Sequence, residues 1–216
     1  MLIDSVVWLG HAGFRVEVKG ATVYIDPYRV PPGAPPGDAV LITHGHYDHY
    51  SPRDVEALSH DRTWLIAPAA VAERARGRVA SIAPGETIEL DHLRGIDVTA
   101  VAAYNTSKRD SDGNPFHPRT AGWVGFDLNV RGERLYHAGD TDVIPEMDAV
   151  TGVDVALLPV CGTYVMTVDE AVEAARRIQP RVAVPSHWGS HLGSRADAEA
   201  FAQRAPVDVR LFRPPA

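Results

Sequence analysis

The chain has 216 residues, 45% of them hydrophobic and 23% charged, which is ordinary globular usage, excludes a disordered chain and leaves enough length for a substantial core. Acids outnumber bases 28 to 21 for a net charge of −7, which speaks against a nucleic-acid partner, since such binding rests on clustered Lys and Arg. The single cysteine, Cys161, excludes an internal disulfide or a cysteine-rich zinc site, and with no apolar run near 18 residues and no basic stretch beside Asp4 neither a membrane span nor a signal peptide is expected, so a cytoplasmic location is.

In chain order, the first third reads as strands. Phe14, Val16 and Val18 alternate with polar residues, the period of a half-buried strand, and Gly20 turns the chain into a second strand over 21–25. Residues 28–38 hold four prolines and two glycines and read as a loop. An apolar run over 39–43 reads as a buried strand, and Ser51-Pro52-Arg53-Asp54 starts a helix with a cap, a first-turn proline and an acid at the third position. A strand over 63–67, a short helix over 68–76 and strands near 79–82, 87–90 and 96–104 follow. Residues 105–121 form a polar stretch of a length that is functional or disordered in compact domains, and it is expected to act as a mobile flap. Strands return at 122–130 and 133–137 around an Arg131-Gly132 turn, then at 154–159. A capping box at Thr167 and Glu170 opens a helix to about Ile178. A strand over 181–186, a helix over 194–204 and a strand over 207–212 complete the chain. Strands with helices after them in both halves predict sheets covered by helices, in one domain over residues 1–216.

Ten histidines are present, and their placement carries the chemistry. Thr43-His44-Gly45-His46-Tyr47-Asp48-His49 sits between an apolar strand and a capped helix. In extended chain His44 and His46 project side by side, and the turn beyond brings Asp48 and His49 back towards them. Imidazole and carboxylate together suit Zn, Mn, Fe or Ni. Tyr136-His137-Ala138-Gly139-Asp140 and Val184-Pro185-Ser186-His187 also place a ligand-type side chain just past a strand. A site assembled from several strand ends follows.

These segments together resemble the metallo-β-lactamase fold superfamily of metal-dependent hydrolases. The resemblance rests on H-x-H-x-D-H at His44 to His49, on Gly139-Asp140-Thr141 and on His187, and it covers nearly the whole chain. Leu9-Gly10-His11-Ala12-Gly13 and Ile25-Asp26-Pro27 are similar to a branch that includes L-ascorbate-6-phosphate lactonase and N-acylphosphatidylethanolamine phospholipase D. The resemblance implies a four-layer αβ/βα sandwich of α/β or α+β class with the metal site at one edge. It implies a first metal on His44 and His46, a second on Asp48, His49 and His187, Asp140 between them, and Asp26 orienting a ligand histidine. One departure stands out: Asn105 occupies the strand end where the superfamily places a further histidine. His117, in the polar stretch, is the expected replacement ligand, and Asn105 the alternative. The expected cofactor is one or two divalent ions, Zn or Mn.

A metal-dependent hydrolase follows, with Asp48 and Asp140 as catalytic groups and a small-molecule phosphodiester, lactone or related ester as substrate. Bound metal lowers the pKa of water to about 7, which makes hydroxide available at neutral pH. Arg119 or Lys108 is expected to hold any phosphate. Two rivals share the fold: a redox metalloprotein similar to persulfide dioxygenases, and a non-catalytic metal-binding protein whose site has decayed at Asn105. His11 is expected to make structural hydrogen bonds, His137 to hold its turn, His60 and His92 to be solvated, and His191 to lie at the surface or line the pocket. Cys161 is expected as a small buried residue, and Tyr47, Tyr50, Tyr104, Tyr164 and Trp188 as flanking aromatics. Assembly as a homo-oligomer stays open.

Overall fold

The computed structural model describes residues 1–214 except Lys19, Asp91, His92, Arg94 and His191; the expectations for His92 and His191 therefore lie outside the described residues. Two sheets face each other. The first holds β1 (Val6–Gly10), β2 (Gly13–Val18), β3 (Ala21–Ile25), β4 (Ala39–Leu41), β5 (Trp64–Ala67) and β6 (Arg78–Ser81), neighbours in that order. The second holds β7 (Thr87–Glu89), β8 (Ile96–Ala102), β9 (Val124–Val130), β10 (Glu133–His137), β11 (Val155–Pro159), β12 (Val182–Ser186) and β13 (Asp208–Val209), again in chain order across the sheet. Helices α1 (Pro52–Leu58) and α2 (Ala69–Ala72) cover the outer face of the first sheet, and α3 (Val168–Ile178) and α4 (Arg195–Arg204) that of the second. This is the four-layer sandwich that the resemblance implied.

The sequence pattern explains the layers. β11 reads Val-Ala-Leu-Leu-Pro and is buried at all five positions, as a parallel strand covered on both faces must be. β9 alternates, with Val124, Phe126, Leu128 and Val130 buried and Asp127 and Asn129 half-buried. Between the sheets Phe14, Ile25, Leu41, Phe126, Leu135 and Leu157 join one continuous apolar cluster. Outside the first sheet Tyr24, Val40 and Leu65 pack against Val55 and Leu58 of α1 and Val71 of α2. The Thr167 capping box forms as expected, with the Glu170 amide bound by Thr167 Oγ1 and the Thr167 amide by Glu170. Two expected elements shrink: the helix expected over 68–76 is regular only over Ala69–Ala72, and the strand expected over 207–212 only over Asp208–Val209. β1 adds a strand at the N-terminal edge of the first sheet.

Strand direction positions the site. β3 to β6 run parallel, and β1 runs parallel to β3 through two antiparallel pairings. In the second sheet β10 to β13 are parallel, and β8 shares their direction across antiparallel β9. The chain leaving β1, β3, β4, β8, β10, β11 and β12 therefore emerges at the carboxyl ends of aligned strands. Backbone there is freed from the ladder and can aim side chains at a common point.

The polar stretch 105–121 is less loose than its composition suggests. The buried Asp142 carboxylate accepts the amides of Thr106 and Ser107 at 2.8 and 2.7 Å, both of their hydroxyls, and Asn105 Nδ2 at 3.1 Å. Lys108 Nζ is bound by Glu170 at the start of α3. At the other end the His117 carbonyl accepts the Asn105 amide at 2.8 Å. Only the tip turns on itself, with Asp110 Oδ1 accepting the amides of Asp112 and Asn114. The expectation of a flap is corrected to a strap tied at both ends, because its polar residues find partners within the fold. Hydrogen exchange is expected to show the amides of Thr106 and Ser107 protected like those of β8, and 111–113 exchanging fast. Uniform fast exchange across 105–117 would contradict the ties.

Candidate metal centre

The loop after β4 carries the first cluster. Thr43 is buried, and its amide donates to Asp26 Oδ1 at 2.8 Å while its hydroxyl donates to Asp26 Oδ2 at 2.6 Å. With its one proton committed to Asp26, the Thr43 oxygen accepts from His44 Nδ1 at 3.0 Å. Asp26 also accepts from His49 Nδ1 at 2.7 Å. Both imidazoles therefore donate through Nδ1, which leaves Nε2 as the nitrogen that faces the cluster. Such outer partners fix the tautomer and ring direction of a ligand histidine.

His117 is fixed in the same way by Asn105. The Asn105 side-chain oxygen accepts the His117 amide at 2.8 Å and His117 Nδ1 at 2.9 Å, while its Nδ2 donates to Asp142 and to the Tyr164 carbonyl. The backbone donor and the carboxylate acceptor settle which amide atom is which. Asn105 is thus engaged by its neighbours through both side-chain atoms and holds His117 beside the cluster. His44, His46 and His117 bring one ligand atom each to within 4.8 Å of one another. Trp123 packs on His44 and His46, each with 4.9 Å between ring centroids.

A second group lies beside it. His11, Asp48, His49 and His187 also offer ligand atoms within 4.8 Å of one another. His11 Nε2 lies 3.0 Å from Asp48 Oδ2 and its Nδ1 3.1 Å from Ser190 Oγ. Asp140 stands between the groups: Oδ1 is 3.3 Å from His49 Nε2, and Oδ2 is 3.2 and 3.3 Å from Nε2 of His117 and His187. Gly139 makes this possible. It sits at φ +64, and a Cβ there would lie 2.8 Å from the Val124 carbonyl oxygen, so only glycine turns the chain this sharply. His11, Asp26 and His187 adopt φ of +52, +44 and +59, a left-handed conformation that non-glycine residues hold at a cost and that collects at functional sites. The His187 amide bonds the His11 carbonyl, and stacked Trp8 and Trp188 back this junction of the two sheets.

The donor set fits a divalent cation. His49 Nε2, His117 Nε2, His187 Nε2 and Asp140 Oδ1 are buried and make no hydrogen bond, although each lies within 3.3 Å of another. Orphaned buried polar atoms are costly, and a group of them facing one point is the arrangement of a ligand shell. Electrostatics agree. Burial opposes charge on Asp140, but His187 and His49 hold its carboxyl well below the usual range. Burial likewise opposes charge on His187, yet Asp140 raises it to about 9. Burial and the neighbouring His49 push His44 well below its ordinary value, so its lone pair is available. His11 is lowered by burial to about 4 and is neutral.

All seven expected ligands, His44, His46, Asp48, His49, His117, Asp140 and His187, converge here. His11 joins them more closely than expected, against Asp48, while Trp123 and Asp142 carried no signal of their own in the sequence. His137 holds its turn, bonding the Ala12 carbonyl and the Gly139 amide, and His60 is exposed, both as expected. Cys161 is half-buried beside His187. Trp188 and Tyr104 are core residues rather than pocket walls. Two expectations fail: Lys108 is bound by Glu170 and lies 3.5 Å from Asp142, and Arg119 donates to Glu146 at 2.9 Å, so neither is presented to the cavity. That cavity, about 240 Å³, is lined by His46, Tyr47, Asp48, Phe116, His117, Asp140, Tyr164, His187 and Leu192.

A two-sheet sandwich with a histidine–aspartate cluster at the carboxyl ends of its strands defines a metallohydrolase-type fold. The chain belongs to the β-lactamase superfamily: the family model described as "Beta-lactamase superfamily domain" matches residues 5–187. A UPF0173 metal-dependent hydrolase of Methanopyrus kandleri is 34% identical, over 97% of this chain and 96% of its own. Another from Thermoplasma acidophilum is also 34% identical, over 91% and 88%. The structure of a metallo hydrolase from Ignicoccus hospitalis shares the fold, with a TM-score of 0.77, 24% identity and coverage of 98% and 95%.

A ligand on a loop binds at the cost of ordering that loop. For His117, burial and two bonds to Asn105 remove that cost. His44→Ala, His117→Ala and Asp140→Ala are each expected to lose bound metal, measured by elemental analysis, and Asn105→Ala to weaken metal affinity about 10- to 100-fold, the usual cost of losing an orienting partner. Chelation is expected to leave the far-UV circular dichroism intact, since the core is apolar strand packing. Full metal occupancy in His117→Ala would place it outside the ligand set.

Proposed function

We propose that this chain, a metal-dependent hydrolase by kinship, hydrolyses a phosphodiester, lactone or related ester at the histidine–aspartate cluster. The single observation that carries the reading is the set of orphaned, buried Nε2 atoms of His49, His117 and His187 turned on the Asp140 carboxylate. His44, His46 and His117 would hold one ion, Asp48, His49 and His187 a second, with Asp140 facing both. A bound Zn or Mn ion supplies Lewis acidity, which acidifies water and polarises the ester oxygen.

The chain's own residues do the rest. Asp26, Thr43 and Asn105 keep three imidazoles in the tautomer that offers Nε2. Asp140 and Asp48, both depressed well below the usual carboxylate range in spite of burial, stay ionised at neutral pH and can accept a hydrogen bond from attacking water and orient it. His11, neutral and 3.0 Å from Asp48, holds that carboxylate in place.

The decayed-site rival rested on Asn105, and His117 fills that gap. The redox rival differs in metal. Purified protein is expected to contain Zn or Mn and, with either added, to turn over bis(p-nitrophenyl) phosphate or a lactone. Asp140→Asn should reduce kcat at least 100-fold. Iron as the bound metal with no ester turnover would favour the redox reading, and turnover that survives Asp140→Asn and metal removal would overturn the site.

A further inference from the structure

Above its histidine–aspartate floor the cavity wall is aromatic and aliphatic. Phe116 and Tyr164 meet edge to face with 4.7 Å between ring centroids. Tyr47 is 64% exposed, one of the large apolar side chains the fold leaves open to solvent, and it pairs with Tyr28 at 6.1 Å. Leu192 adds an aliphatic patch. Rings of this size gain most from being covered, and exposed ones beside a site present a face that a bound group covers.

Positive charge is directed elsewhere. Lys108 is bound by Glu170 and Asp142, and Arg119 by Glu146 while it lies over Tyr104 at 5.1 Å. Arg29 lies over Tyr28, 5.0 Å from its ring, and neither residue is in the described lining. The described lining contains neither lysine nor arginine. A substrate with an anionic group away from its reacting centre would press that charge against Phe116, Tyr164 and Leu192, where desolvation is uncompensated. The volume, about 240 Å³, is below the roughly 300–1,000 Å³ of drug-sized sites, so the group that enters is compact.

Resting on the hydrolase reading, we propose that the substrate is an ester of a compact, apolar aromatic or alkyl group with no anionic group away from its reacting centre. Its organic part lies against Tyr47, Phe116, Tyr164 and Leu192, and its reacting group on the histidine–aspartate floor. Esters that carry a carboxylate or a second phosphate on the organic part are disfavoured.

The test separates recognition from catalysis. Calorimetric titration of the Mn-loaded full chain compares diphenyl phosphate (apolar, one charge), dimethyl phosphate (one charge, little apolar surface) and bis(4-carboxyphenyl) phosphate (two further charges away from the phosphorus). Diphenyl phosphate is expected to bind at least tenfold more tightly than either. Tyr164→Ala and Leu192→Ala should each weaken it severalfold at unchanged metal content, with Tyr164→Phe retaining wild-type binding. In turnover, p-nitrophenyl butyrate should exceed mono-p-nitrophenyl succinate, which adds a carboxylate, at least tenfold in kcat/KM. Preference for the carboxylated diester, equal binding of dimethyl phosphate, failure of all three to bind, or indifference to both alanine variants overturns the inference. The expected binding pattern without turnover of any ester sustains it and sinks the hydrolase reading; turnover with preference for the carboxylated ester does the reverse.

Discussion

A buried carboxylate facing several imidazoles is the constraint around which this molecule is arranged. Asp140 is 5% exposed, and Nε2 of His49, His117 and His187 approach it within 3.3 Å without forming a hydrogen bond. Alone, such a carboxylate would be forced towards its neutral form. The surrounding histidines keep it charged, and it raises His49 and His187 in turn. The cluster is a centre that demands positive charge, whether from protons or from a metal that displaces them.

What keeps so many polar groups from collapsing onto one another is a surrounding layer of hydrogen bonds. Asp26 binds the Thr43 amide and hydroxyl as well as His49, Thr43 receives His44, and Asn105 receives His117 while Asp142 and the Tyr164 carbonyl hold its amide nitrogen. Each partner is an acceptor at the point of contact, so each fixes the proton on Nδ1. The same logic reaches out to the strap at 105–121, which Asp142 anchors by the amides of Thr106 and Ser107. His117, carried on a long polar segment, is pre-ordered because that segment is itself hydrogen-bonded to the fold.

The two sheets contribute unequally. The first supplies the dense group after β4, with Asp26 after β3 and His11 after β1, and the second supplies Asn105, Asp140 and His187 from separate strands. The sandwich core holds these halves in register through large apolar residues such as Phe14, Leu41, Phe126 and Leu157. At the site edge the bond from the His187 amide to the His11 carbonyl and the stacked tryptophans behind it tie the sheets together. Backbone strain at His11, Asp26 and His187 is concentrated where that tie is made.

The local chemistry was legible in the residues alone. Two histidines two apart at a strand end, an acid and a third histidine in the turn beyond, and Gly139-Asp140 after another strand are marked as a convergent group by spacing and backbone geometry, which are properties of short segments. The caps at Ser51 and Thr167 and the alternation in β2 are local for the same reason, and they were borne out. What required the tertiary structure is what depends on residues far apart in the chain. Whether Asn105 ligates a metal or orients His117 turns on a backbone amide twelve positions away and on Asp142 and Tyr164 further on. Lys108 and Arg119 looked available for substrate until Glu170 and Glu146 were seen to hold them. The strap looked loose because composition reports polarity but not partners, and a polar segment is ordered or free according to whether distant groups satisfy its hydrogen bonds.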